Sequence, residues 1–321
     1  MPFDSYEQLR QAEDVQDQIY LISPVDTPVA SMSRNIQATG KIHEWTEDEL
    51  LPAGSNKHVE GADAPDDVSQ PVVERSNYCQ IMSKLARVTG TLDTVEKYGR
   101  DSELSYQLEM RYAEMANDSE LAIAGAPGGT RQTGDAGSSS TPREFTSLHN
   151  QLDSDVIVDA TAAADTKELE DALLAAHLAT YDEGGTPNYL ITPPKFANYI
   201  ADFARAAGRS RDIRNERTLV QVIDLYVSFY GELDVVLDRH CDDCWLLLDF
   251  NYLAEPVLRP TADWPIAKLG DNDARQILRE STYAVLNAKA HAMVDNIQDG
   301  LAPPLAATAG TTKKAATKKA A

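Results

Sequence analysis

Ile22-Ser23-Pro24-Val25-Asp26-Thr27-Pro28-Val29 opens the most informative part of the chain, followed by His43-Glu44-Trp45 and then Val59-Glu60-Gly61-Ala62-Asp63-Ala64. Proline fixes φ and lacks an amide donor, so Ser23-Pro24 and Thr27-Pro28 stop the helix that Leu9, Ala12, Val15 and Ile19 set up over residues 5–21. The pattern predicts a helical arm and a kink. From Ile36 to Trp45 it turns extended, and a second β-rich run with alternating side chains spans Tyr78 to Thr91, so the two are expected to pair. Between them lie about thirty residues rich in Asp, Glu, Gly, Ala and Pro, a length uncommon for connections inside compact domains. Such an excursion is a disordered insertion or a protruding hairpin whose partners lie on another chain. The second reading is preferred, because two strands close it.

Working outward, Asp101 or Ser102 can cap a helix that keeps Leu104, Leu108, Tyr112, Met115 and Ala122 on one face until Gly125. Residues 126–142 hold Pro127-Gly128-Gly129 and Gly137 to Ser140, strong breakers that predict a mobile loop between two lobes. Asp165 or Thr166 starts a helix through Leu169, Leu173, Ala176 and Thr180, ended by Gly184-Gly185; Tyr189-Leu190-Ile191 then reads as a short buried strand. Pro193 and Pro194 open a helix carrying Phe196, Ile200, Phe203 and Ala207, with Gly208 at its end. Strands are expected at Leu219–Tyr230, Leu233–Leu237 and Trp245–Leu248, and after Arg275 around Ile277, Tyr283 and Val285. After Asp299-Gly300 the chain is Ala, Thr, Pro and Lys, too poor in large apolar groups to offset its ordering entropy. The fold class is therefore α+β with a disordered lysine-containing tail.

The chain has 321 residues and a formal charge of −22, and four of its lysines (Lys313, Lys314, Lys318, Lys319) sit in the last nine residues, so the body is more acidic still. A body of that charge repels a phosphate backbone, and four lysines imply a salt slope of only about −3.6 on duplex DNA, so any such contact would be weak and nonspecific. The acidity and lysine scarcity resemble halophilic proteins. In molar salt the Debye length is about 3 Å and carboxylate repulsion between subunits would largely vanish; an ordinary acidic surface is the plainer reading. Three cysteines make an odd count, against a disulfide framework and in keeping with a reducing compartment. The start lacks a secretory signal, and no apolar run approaches the roughly 18–20 residues that span a bilayer, so neither export nor a membrane is expected.

His240-Cys241-Asp242-Asp243-Cys244 is the one tempting chemical site, since a C-x-x-C pair can hold zinc or cycle as a dithiol. The remaining cysteine, Cys79, is far away in sequence and no second ligand pair exists, so the working assumption is a turn between strands, with the thiols as small hydrophobes. Carboxylates near His43-Glu44, such as Glu47, Asp48 and Glu49, say nothing in a chain with 51 of them. No nucleophile elbow, zinc-protease signature, P-loop or dinucleotide fingerprint occurs. No catalytic residue, metal site or cofactor is expected.

Taken together and in order, the Ser-Pro-x-Asp-Thr-Pro segment, the His43-Glu44-Trp45 strand and the Glu60-Gly61-Ala62-Asp63 loop resemble the major capsid proteins of tailed phages and related tailed viruses. The resemblance is firm over residues 18–65 and rests on element order beyond them. It implies the tailed-phage capsid fold, shared with herpesvirus shell floors and encapsulins: an N-terminal arm (1–40), an extended hairpin loop (41–92), and a peripheral domain with a long spine helix and Gly/Ser-rich loop (93–160). An axial domain (161–270), return strands (271–299) and the tail (300–321) complete the assignment. Ile22, Pro24, Asp26, Thr27, Pro28, Ile36, Ile42, His43, Glu44, Trp45, Glu60, Gly61 and Asp63 become the expected intersubunit contacts, with Ile36, Ile42 and Trp45 anchoring the loop. The partners implied are copies of the chain in hexamers and pentamers, the packaged double-stranded DNA, portal and decoration proteins, and either a separate scaffold protein or none, since the matching segment starts too near Met1 for a fused scaffold. The location implied is the virion, after synthesis in the host cytoplasm. Two alternatives stand beside this: an encapsulin-like cellular shell, and a soluble zinc or thiol protein centred on His240, Cys241 and Cys244.

Overall fold

The structure, a computed structural model, describes residues 26–51, 53–61, 63, 71–95, 102–206 and 225–301. The helix expected over 5–21, Ile22, Pro24, Ala207, Gly208, the segment 219–224 and the tail beyond 301 lie outside the described residues. Five α-helices are described: α1 Pro28–Met32, α2 Gly90–Thr94, α3 Glu103–Ala124, α4 Thr166–Asp182 and α5 Ala197–Ala206. The strands in chain order are β1 Arg34–Gln37, β2 Ile42–Glu47, β3 Val73–Tyr78, β4 Gln80–Thr89, β5 Thr133–Asp135, β6 Glu144–Thr146, β7 Ile157–Asp159 and β8 Tyr189–Thr192. They continue as β9 Leu225–Val227, β10 Glu232–Leu237, β11 Trp245–Leu248, β12 Leu253–Pro265, β13 Asn272–Ser281, β14 Ala284–Val285 and β15 Ala292–Asp295.

Contacts divide the chain into one unit of Met1–Ser147 with Ala254–Ala284 and a second of Leu148–Leu253 with Val285–Ala321. Strands that sequence pattern hides set this division. β12 carries Pro256, Pro260 and Pro265, which read as breakers, yet it runs antiparallel to β13 with register shifts between Val257 and Arg259 and between Arg259 and Ala262. Such irregularities accommodate residues that cannot donate to a ladder. In the second unit β15 pairs antiparallel with β11 and parallel with β7, which draws residues 157–159 and 292–295 into one sheet.

In the first unit the strands run β1-β12-β13-β4. Helix α3 lies along β4 and β13, where Met115 packs with Met82 and Ile277, flanked by Leu108 and Tyr112. Its predicted start and stop hold: Ser102 Oγ accepts from the Ser105 amide, and Gly125 is the C-cap. Pro28, expected to break a helix, instead opens α1 at its first turn, where proline's missing donor costs nothing. The buried Glu120 of α3 then accepts from the amides of Val29 at 2.7 Å and Ala30 at 2.9 Å, which ties the entry of the chain to the long helix. Two buried carboxylates on the sheet are compensated in the same unit: Glu280 meets Arg143 and Arg259, and Glu255 meets Arg279. Residues 126–142, expected as a mobile loop, contain β5, which pairs with β6 in a short hairpin.

The second unit is built on a sheet ordered β7-β15-β11-β8-β10-β9. Its centre, β11, is buried along its whole length, as is most of β8. Helix α4 buries Leu169, Leu173, Ala176 and Thr180, the predicted stripe, under an Asp165 cap that accepts from the amides of Lys167 and Glu168. It ends where Gly184 takes φ +89° and where a Cβ at Gly185 would stand 2.6 Å from Thr180 Cγ2 and 3.0 Å from Ala290 Cα. Burial pushes the His291 imidazole down to about 4, and its Nδ1 accepts from the Asp249 amide at 3.2 Å. The unfolded chain takes up that proton near pH 6.5 and the folded one only near 4, so this contribution to stability is complete above pH 6.5 and lost progressively as pH falls. At pH 5 the loss is about 2 kcal/mol, which urea titrations at pH 7 and pH 5 would register as a lower midpoint that a His291→Gln variant does not show to the same extent. No described helix is long and apolar enough to cross a membrane.

Candidate functional site

The extended run Ile36–Trp45 does not form one strand and does not pair with β4. It breaks at residues 38–41: β1 joins β12 in parallel, and β2 pairs antiparallel with β3, from Ile42 opposite Tyr78 to Glu47 opposite Val73. β4, the core of the second expected run, pairs with β13 instead. Ile36 therefore sits opposite Pro256 in the five-stranded sheet, away from the loop it was expected to anchor. Pairing partners in a sheet are chosen by tertiary packing that alternation alone cannot show.

The β2–β3 ribbon has two unlike faces. Ile42, Glu44 and Thr46 share one, and His43, Trp45 and Glu47 the other, since side chains alternate along a strand. On the second face the His43 and Trp45 rings stack at 5.9 Å, and Arg75, directly across from Trp45, reaches Glu47 at 3.3 Å. Burial lowers the pKa of His43, so the ring stacks as neutral imidazole at neutral pH. The base of the ribbon is fastened by Asn77, 1% exposed. Its Nδ2 donates to the carbonyls of Tyr283 at 2.7 Å and Thr146 at 3.2 Å, and its Oδ1 accepts from the Thr146 and Tyr78 amides. Beyond the ribbon the chain exposes Leu50 (95%) and Val59 (80%), with Glu60, Gly61 and Asp63 exposed beside them and Gly61 at φ +81°. Asp26, Thr27 and Pro28 are half-buried at the entry to α1. The structure thus brings Ile42, His43, Glu44 and Trp45 together on one ribbon, while Asp26–Pro28 and Ile36 belong to other elements. Asn77 and Glu120 were missed because their partners are distant in sequence, and no local pattern signals them.

His240, Cys241 and Cys244 occupy the bend between β10 and β11, as a turn reading requires, with both thiols buried. Among the described residues no group of three or more His, Cys, Asp or Glu is arranged to hold a metal ion. A cleft of about 440 Å³ in the same unit gathers Glu232, Asp234 and Asp249 beside Tyr189 and Phe250; its lining sets no nucleophile beside a base.

A family model described as SU10 major capsid protein matches residues 3–298. The chain belongs to that family. A curated relative, the major capsid protein of Escherichia phage Phieco32, is 40% identical over 119 residues, which is 37% of this chain and 34% of the relative. The aligned stretch thus spans about a third of that relative's length. Solved structures give the fold at lower identity. A capsid of a native GTA particle has TM-score 0.60 at 10% identity, covering 92% of this chain and 97% of that one. A Mycobacterium phage Ogopogo chain has TM-score 0.58 at 14% identity over 90% and 97%, and the SrpI encapsulin of Synechococcus elongatus PCC 7942 has 0.58 at 10% over 93% and 96%. The α+β fold of this major capsid protein family member is the one found in phage capsids and encapsulins.

Proposed function

We propose that the chain is the structural subunit of a tailed-phage head, acting by self-assembly into an icosahedral shell around double-stranded DNA, without catalysis. The observation that carries this reading is the family match over residues 3–298, joined to the stretch beyond the ribbon that leaves Leu50 and Val59 exposed. In this reading neighbouring copies cover those groups, and many modest interfaces of closed symmetry add up to a stable assembly. In this account the first unit is the peripheral domain with α3 as its spine, the second is the axial domain, and the β2–β3 ribbon with the exposed stretch beyond it is the extended loop. Ile42, His43, Glu44, Trp45, Glu60, Gly61 and Asp63 then face neighbouring copies, with Asp26, Thr27 and Pro28 at the arm. Portal, decoration and scaffold proteins complete the particle. The family match favours a viral head over a cellular compartment, since the encapsulin likeness is one of fold alone.

A double variant, Leu50→Asp with Val59→Asp, tests the assignment. Both side chains are exposed in the single chain, so its stability should change by no more than about 0.5 kcal/mol, while assembly is lost. Calorimetry of the unassembled protein and sedimentation of the assembled one separate the two; a variant that still forms particles at the wild-type threshold concentration would remove this surface from the interface.

A further inference from the structure

The His240–Cys244 turn is not used by a shell-forming role, and its geometry is chemically specific. Cys241 Sγ and Cys244 Sγ lie 3.8 Å apart, and His149 Nε2 approaches Cys244 Sγ to 3.3 Å. The turn is held from several directions: the His240 amide donates to Asp238 Oδ1 at 2.8 Å, the Cys244 amide to the Asp242 carbonyl at 2.8 Å, and the Ile297 amide to the Asp243 carbonyl at 2.9 Å. A disulfide needs the sulfurs at about 2 Å, so closure brings Cys241 Sγ and Cys244 Sγ together from 3.8 Å.

We propose that Cys241 and Cys244 are a reversible dithiol–disulfide pair, closed by exchange with a small-molecule disulfide such as glutathione disulfide, with His149 positioned to take the Cys244 proton. In the first step Cys241, the less buried of the two, loses its proton to water and attacks one sulfur of the small disulfide. The small S–S bond breaks, one small thiol leaves, and a mixed disulfide remains on Cys241. Cys244 passes its proton to His149 Nε2 and attacks Cys241 Sγ; the protein S–S bond forms, and the second small thiol leaves and is protonated. One small disulfide is reduced to two thiols and the protein dithiol is oxidised. Hydrogen bonding to Cys244 and burial both raise the Cys241 pKa, so little thiolate is present and closure is slow. Cys79, buried beside the Gly40 carbonyl in the other unit, has no such partner thiol among the described residues.

The test treats the unassembled full chain with glutathione disulfide, alkylates it after denaturation, and measures the peptide carrying Cys241 and Cys244 by mass spectrometry. The expected result is the loss of two hydrogen atoms from that peptide, protection from alkylation, reversal by dithiothreitol, and alkylation of Cys79 as before. Cys241→Ser should abolish closure, and His149→Gln should slow it by about a hundredfold while leaving the final extent unchanged. A peptide that remains doubly alkylatable, a mixed disulfide that never resolves, or closure only in denaturant would overturn the proposal. The readout is independent of assembly, so its failure leaves the shell reading untouched.

Discussion

Asn77→Ala is expected to destabilise the first unit by about 3 kcal/mol, because truncation strands several buried backbone groups at once and each unsatisfied group costs about 1–3 kcal/mol before relaxation. The amide of Asn77 serves two carbonyls and two amide donors, on β6, at Tyr283 and in its own strand. Only an amide offers two donors and an acceptor in that space, so Asn77→Asp should rescue poorly. The residue also sits where β3 hands over to β4, so its loss frees the root of the ribbon. Hydrogen exchange on the unassembled variant should show early loss of protection over 73–78 and 144–146. Wild-type protection there would mean that water or a rearranged side chain replaces the amide, and that Asn77 does not hold the ribbon.

Trp245→Ala is the counterpart in the second unit, with an expected cost of about 4 kcal/mol from lost burial and the cavity left behind. Trp245 is fully buried on β11, opposite Val294 on β15, with its ring edge to face against Phe203 at 5.9 Å. Its neighbours Leu246, Leu247 and Leu248 are equally buried, so little can move in to fill the space. Because contacts divide the chain into two units, calorimetry need not show one transition. Trp245→Ala should lower the transition of residues 148–253 and Asn77→Ala the other, a separation that exchange mapped by mass spectrometry can read.

Helices were the legible part of this chain. Ser102 with Gly125, and Asp165 with Gly184-Gly185, bracket α3 and α4 because caps and apolar spacing are local properties. The strands split by mechanism. β8, β10 and β11 announce themselves as short apolar runs, whereas β12 is masked by its prolines and β15 offers only Met293 and Val294 as large apolar residues. Pairing was misread at the loop, since Val73–Tyr78 is polar enough to look like the end of an excursion, and β4 is the better-patterned strand. Of the candidate contacts, the ribbon residues share one element, but the anchors that hold it are long-range: Asn77 reaches 206 residues along the chain to Tyr283 and Glu120 reaches 91 back to Val29. The family resemblance supplied the shell, and the structure shows which groups hold the proposed loop in place.

Self-assembly is the central claim, and expression of the chain by itself, followed by sedimentation and negative-stain electron microscopy in dilute buffer and in molar salt, tests it most directly. Carboxylate repulsion from a body of this charge is screened within about 3 Å in molar salt. The account predicts closed shells or capsomer rings, formed at lower protein concentration in the high-salt arm. A stable monomer in both buffers, at concentrations where the purified protein is folded, would contradict it.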